Sequence, residues 1–131
     1  MRALLALLSL ALLPACFSSE PAPTEPIDDP ATVTVEMTDG LVFDPSPVTI
    51  SVGDTVEWVN ASSMVHTATA DPALAANPDN VQLPAGAEPF DSGFLTAGQR
   101  FSYTFTVAGE YRYVCLPHEF AGMIGTITVN E

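Results

Sequence analysis

An all-β sandwich is the fold class this sequence predicts, and three observations carry it. Apolar and polar side chains alternate at period two through several short runs. Asp-Gly, Val-Gly-Asp and Ala-Gly-Glu separate those runs, as turn residues do. No stretch of helical length outside the N-terminal segment carries a helical period. A face that buries its side chains and a face that stays wet describe an antiparallel sandwich.

The first residues stand apart from that pattern. MRALLALLSLALLPAC has one arginine, then Leu and Ala from Ala3 to Leu13, then small residues before Cys16. A positive start, a short apolar run and a small-residue cleavage region describe an export signal, expected over residues 1–15. Leu13-Pro14-Ala15-Cys16 resembles the lipobox of bacterial lipoproteins, which implies a lipidated Cys16 and a membrane anchor, although Pro14 stands where a small residue is more usual. After it, FSSEPAPTEPIDDPA is too rich in proline and acid to bury a core. Residues 16–31 are therefore expected to form the lipidated cysteine and an extended tether, reaching roughly 45 Å at about 3.1 Å per residue. Residues 32–131 make one domain of ordinary size.

Within that domain Val33, Val35 and Met37 alternate with Thr32, Thr34 and Glu36. The period recurs in Val48, Ile50 and Val52, in Val56 and Trp58, in Phe101, Tyr103, Phe105 and Val107, and in Ile127 and Val129. SSMVHTATA, around His66, also looks strand-like and is expected beside the Trp58 strand. Residues 70–93 are the exception. Pro72, Pro78, Pro84 and Pro89 exclude a central strand, DPALAANPD allows one helical turn after Asp71, and a loop of this length is usually functional. Asn60-Ala61-Ser62 matches a glycosylation acceptor, a match without meaning behind a bacterial signal. Trp58, Tyr103, Tyr111 and Tyr113 are expected in the core, and Tyr111, two after Gly109, fits a tyrosine corner.

Composition narrows the function. Sixteen Asp and Glu stand against three Lys and Arg, giving a net charge of -13. That balance excludes nucleic acid and anionic headgroups as partners, because both need cations. No lysine is present, which excludes Schiff-base chemistry. Two cysteines in an exported chain suggest a disulfide, but Cys16 lies at the processing site, so Cys115 is expected to have no cysteine partner.

Cys115 instead opens the spacing Cys-x2-His-x4-Met in YVCLPHEFAGM, with His118 and Met123. With two histidines and four methionines in 131 residues, that arrangement arises by chance roughly once in a thousand. It follows the strand-like Tyr111–Val114 and precedes Gly125–Asn130, so it occupies a loop held by two strands. Thiolate with imidazole suits zinc or copper, and a thioether tilts the choice toward copper. One Cys, two His and a weak axial Met make a blue-copper set. His66 is the one histidine outside the motif, and it completes that set.

PVTISVGDTVEWVN and VCLPHEFAGMIGTITV resemble segments of the cupredoxins, the blue copper proteins of the plastocyanin/azurin family, in a plastocyanin- or halocyanin-like style. The resemblance covers essentially all of residues 32–131. It implies an eight-stranded Greek-key β-sandwich, one copper ion per chain in a plane of His66, Cys115 and His118, and Met123 in the axial position. It also implies His118 as the electron port, with Met64, Leu116, Pro117 and Phe120 as an apolar collar that either meets a partner or seals the metal from water. Where plastocyanins usually carry Asn after the first histidine this chain has Thr67, whose backbone N–H is still expected to hold the cysteine sulfur. The 70–93 excursion is a second departure, placed to cover or reshape one side of the site. Gly122 is expected to free the backbone that aims Met123 or turns the loop.

Four protein ligands leave no vacancy for substrate, so the expectation is electron transfer and not enzymatic turnover. Partners would be redox proteins such as a cytochrome or a membrane oxidoreductase, met by a monomer anchored on the periplasmic or extracellular side. A module that stores or delivers copper would use the same ligands. A Cys–His hydrolase would leave Met123 unexplained and would need an oxyanion hole.

Overall fold

A computed structural model of the chain describes residues 32–131. The export signal, Cys16 and the 16–31 tether lie outside the described residues. Nine strand segments follow in order: β1 (Thr32–Met37), β2 (Phe43–Asp44), β3 (Val48–Ser51), β4 (Thr55–Asn60), β5 (Thr69–Ala70), β6 (Phe90–Asp91), β7 (Arg100–Thr104), β8 (Gly109–Val114) and β9 (Ile124–Asn130). They form two sheets, ordered β2-β1-β4-β7 and β3-β9-β8-β5-β6. Three segments, β2, β5 and β6, are two residues long. Among the described residues no helix is long and apolar enough to cross a membrane.

The period-two runs become the two inner faces. Val35, Met37, Val56, Trp58, Ile127 and Val129 are all buried, and outward neighbours such as Glu36 and Thr34 are not. Trp58 sits between the sheets, its ring 5.5 Å from Phe90, 5.7 Å from Phe101 and 5.3 Å edge-on from Tyr113. This is the packing that aromatic quadrupoles favour. Tyr111 donates its hydroxyl to the Val107 carbonyl (2.8 Å), which is the tyrosine corner.

The strand pairing departs from the antiparallel expectation in two places. β1 pairs with β4 in parallel, and β3 pairs with β9 in parallel. Parallel neighbours need a crossover, and the chain supplies one. After β1 and its short partner β2 it crosses to the other sheet as β3, then returns as β4 beside β1. Two runs are also shorter than their alternation suggests. Val52 is 44% exposed, since β3 ends where Asp54 accepts a bond from the Ser51 N–H (2.8 Å). β7 stops at Thr104 because Phe105 leaves the ladder to exchange bonds with Asp54 and Gly53 (2.9 and 2.7 Å).

SSMVHTATA is the larger correction. Only Thr69–Ala70 of this run is strand, and it joins the sheet opposite Trp58, between β8 and β6. The reason is polar. Asn60 donates to the carbonyls of Met64 (2.6 Å) and Leu95 (2.8 Å) and accepts from the Ser62 N–H (2.9 Å), so residues 61–65 bend instead of extending. His66 makes a single bridge to Leu95, through His66 N–H to Leu95 C=O (3.1 Å) and the reverse (2.8 Å).

The 70–93 excursion is built from short hydrogen-bonded turns and the edge strand β6. Asp71 accepts the Ala73 N–H on its side chain (2.9 Å) and the Ala75 N–H on its carbonyl (3.2 Å), making one turn. A 3-10 turn at Pro78–Asn80 is capped by Asn77. β6 follows Pro89 at the sheet edge, where a missing N–H is tolerated.

Candidate metal centre

Two strands of one sheet hold the ligand loop. β8 ends at Val114, β9 starts at Ile124, and the Cys115 N–H donates to the Met123 carbonyl (3.0 Å) across the gap. Two 3-10 turns over Leu116–Ala121, meeting at a kink at His118, fill the loop, with Pro117 in the first turn, where its missing N–H is not needed. Gly122 closes it at φ 81°, a left-handed conformation that suits glycine. There its N–H donates to the Glu119 carbonyl (2.9 Å), and Met123 is turned wholly into the interior.

The sequence motif and the distant histidine meet. Cys115 Sγ lies 3.5 Å from His66 Nδ1 and 3.4 Å from His118 Nδ1, and the two Nδ1 atoms are 3.2 Å apart. A triangle with sides near 3.4 Å has an equidistant point about 2.0 Å from each corner (3.4/√3), which matches the roughly 2.0–2.1 Å of a metal–nitrogen bond and falls about 0.3 Å short of a metal–sulfur bond. The three side chains form a group able to hold one metal ion.

Proton bookkeeping agrees. Ser62 Oγ lies 2.9 Å from His66 Nε2 and 2.9 Å from Asn60 Oδ1, and it accepts the Met64 N–H (3.1 Å). Asn60 Oδ1 can only accept, so the single Ser62 hydroxyl proton goes to it and His66 Nε2–H donates to Ser62. That leaves a lone pair on Nδ1, aimed at Cys115. Burial holds the His66 ring below its ordinary pKa and the charge of His118 adds to this, whereas Asp39 and the Thr38 backbone pull the other way. Burial also pushes the Cys115 thiol up, partly offset by N–H groups of Thr67 and His118. A cation at the centre of the triangle would reinforce the first preference and reverse the second, because it binds imidazole neutral and cysteine as thiolate.

Thr67 performs the expected backbone task, its N–H reaching Cys115 Sγ at 3.4 Å. Its side chain does more. Thr67 Oγ1 accepts the Leu116 N–H (2.9 Å) and lies 2.9 Å from Thr69 Oγ1, which donates to Asp91 (2.7 Å). Glu119 is another buried group on the loop. Burial pushes its carboxyl up, but the Asn77 N–H, the Asn80 amide and the Ala76 N–H outweigh that and leave it below the usual carboxylate range. Of the expected collar, Phe120 is 92% exposed, Pro117 is exposed, and Met64 and Leu116 are half-buried, as is His118 itself.

Ser62, Asn60, Thr69, Asp91 and Glu119 are the functional neighbours that sequence reasoning missed. One signal was available. Ser62 lies four residues before His66 in Asn60-Ala61-Ser62, a tripeptide whose side chains bond locally in the manner of an Asx turn.

A β-sandwich that gathers one thiol and two imidazoles at one end defines a cupredoxin with a single-copper site. The chain belongs to the copper binding proteins of the plastocyanin/azurin family, whose sequence profile matches residues 30–130. It is similar to plastocyanin from Scenedesmus fuscus, 44% identical over 92 residues, covering 69% of this chain and 88% of that one. It is similar also to plastocyanin from Nostoc punctiforme, 41% identical over 93 residues, covering 69% of this chain and 66% of that one. Among solved structures, a mutant amicyanin in the Cu(I) state superposes with a TM-score of 0.59 at 27% identity, covering 76% of this chain and 82% of that one. A copper-containing nitrite reductase from Thermus scotoductus matches with a TM-score of 0.61 at 36% identity, covering 79% of this chain but 23% of the reductase.

Proposed function

We propose that the protein carries single electrons through one type 1 (blue) copper ion, which His66, Cys115, His118 and Met123 would hold. The observation that carries this reading is the mutual approach of the three donor atoms to within 3.2–3.5 Å. Copper in such a set supplies a one-electron couple. The chain supplies the rest. Cys115 gives the thiolate, the Thr67 N–H steadies the sulfur, and the Ser62 hydroxyl keeps His66 in the tautomer that binds. A dry, pre-shaped site of this kind limits rearrangement on electron transfer, and the hydrogen bonds at sulfur help set the potential.

His118 is the proposed electron port. It is half-buried, and exposed Phe120 and Pro117 flank it in the chain. That surface suits a brief encounter with a redox protein such as a cytochrome or a membrane oxidoreductase. The lipobox-like Cys16 and the acidic, proline-rich tether support a monomer anchored by lipid on the periplasmic or extracellular side. A nucleophilic role for Cys115 lacks support, since the thiol is 0% exposed and burial favours its protonated form.

The test is a copper titration of the purified domain. An intense thiolate-to-Cu(II) absorption in the visible, bleached by reductant and restored by oxidant, is the expected result. A colourless, weakly held ion would instead favour copper storage or delivery, and no uptake would end both readings.

A further inference from the structure

We propose that Glu119 is a positioning residue for the ligand loop, and that the 70–93 excursion is the strap through which it acts. This rests on the copper reading above. Glu119 follows His118 directly and is 4% exposed, although the next residue, Phe120, is 92% exposed. A carboxylate on an outer loop normally stays in water, and burying it costs free energy unless hydrogen bonds replace the solvent. No cation does so here. Among the described residues the ion pair found is Arg100 with Glu57, on the surface.

Three donors from one short segment satisfy the carboxylate instead. Oε2 accepts the Ala76 N–H (2.7 Å), and Oε1 accepts the Asn77 N–H (2.9 Å) and the Asn80 side-chain amide (2.9 Å). The donors lie 39 to 43 positions upstream, so the tie is wholly tertiary. Both oxygens are used, which fixes the carboxylate in rotation as well as position.

The segment giving those donors is itself fastened to the frame. Gln82 and Arg112 of β8 exchange backbone bonds at 3.0 Å each. The Arg112 side chain donates to the carbonyl of Asn80 (3.0 Å) and to that of Asp79. Further along, β6 closes the excursion against β5. The mechanical order runs from β8 to the strap, from the strap to Glu119, and from Glu119 to His118. Bonds inside the loop, such as His118 N–H to Cys115 C=O (3.0 Å) and Met123 N–H to His118 C=O (3.3 Å), set its curvature. They do not set its tilt against the sandwich. Thr67 ties the start of the loop through Leu116, and Glu119 ties its middle.

The experiment compares copper-loaded Glu119→Ala, Glu119→Gln and Asn80→Ala with the parent chain. Asn80→Ala removes one donor and leaves the carboxylate, which separates fastening from charge. Cu(II) affinity, by chelator competition, is expected to fall about tenfold in Glu119→Ala and by less in Asn80→Ala. Both should shift the charge-transfer band and the copper hyperfine splitting. In the copper-free protein both should speed amide exchange over residues 116–122 and leave β4 and β9 unchanged. The proposal is overturned if Glu119→Ala and Asn80→Ala lower only the melting temperature and leave spectrum and affinity in place. It is overturned equally if Glu119→Gln moves the potential while Asn80→Ala leaves the spectrum untouched, since charge alone then explains the effect. Should the glutamate variants fail to fold, Asn80→Ala still decides. A parent without blue absorption would refute the copper reading, and the exchange measurement would judge the strap separately.

Discussion

The two histidines that meet at Cys115 are held by different means. His66 is 0% exposed, bonded through its backbone to Leu95 and through its outer ring nitrogen to Ser62, which Asn60 holds in turn. His118 stands 4.8 Å away, ring to ring, on a 3-10 loop, half-buried, with the Glu119 carboxylate as the tie beside it. One imidazole belongs to the sandwich and the other to a loop strapped onto it. The difference gives the site a dry, fixed wall and a side open to solvent.

Removing each imidazole in turn is the strongest way to break this comparison. His66→Gly and His118→Gly should each abolish the blue absorption, with a loss of copper affinity greater than the roughly 10–100-fold that follows loss of an outer-shell partner. Added free imidazole separates them. It should restore colour to His118→Gly, whose gap opens toward solvent, and fail with His66→Gly, whose gap is sealed. Equal rescue of both, followed by absorption, would erase the distinction.

A smaller change sharpens the buried side. Ser62→Ala removes the acceptor that holds His66 Nε2–H and leaves the Met64 N–H and Asn60 Oδ1 short of a partner. Stability should fall by about 1–3 kcal/mol, the penalty for unsatisfied buried polar groups, and copper affinity by about tenfold, the effect of losing an outer-shell bond. Thermal unfolding and chelator competition measure the two separately. An unchanged affinity would show that Leu95 and the sheet alone suffice to aim the ring.

These two sides were unequally legible in the sequence. Cys115, His118 and Met123 are local, so their spacing could be read directly, as could the need for Gly122, which occupies φ 81°. The inner faces of β1, β4 and β9 could be read because burial follows a period of two. His66 emerged only as the histidine left to complete a ligand set, and its run looked like a strand. What bends that run is side-chain bonding by Asn60 and Ser62, which no periodicity reports. Glu119 carries no sequence signal, because its donors lie in another part of the chain. Gly125 was equally silent. A Cβ there would collide with the Tyr113 ring and hydroxyl, a demand set by a cross-strand pair and not by a turn. The parallel pairs depend on the path between sheets, which strand patterns do not contain.

The smallest expected effect lies on the loop side, at Pro117. Cys115 Sγ accepts the Thr67 N–H at 3.4 Å, and Pro117, two residues further on, has no N–H to add. Pro117→Ala supplies one. A hydrogen bond at the sulfur draws charge from it and weakens its donation to the oxidised ion more than to the reduced one, so the potential should rise. A net bond of about 1 kcal/mol corresponds to roughly 40 mV for one electron, and voltammetry resolves that shift. The fold should lose little, because Pro117 is exposed and its ring contributes about 1 kcal/mol or less through backbone restriction. A fall in potential would mean that the freed backbone lets the His118 side of the loop shift, and that the strap holds the ligand less tightly than the Ser62 network holds its counterpart.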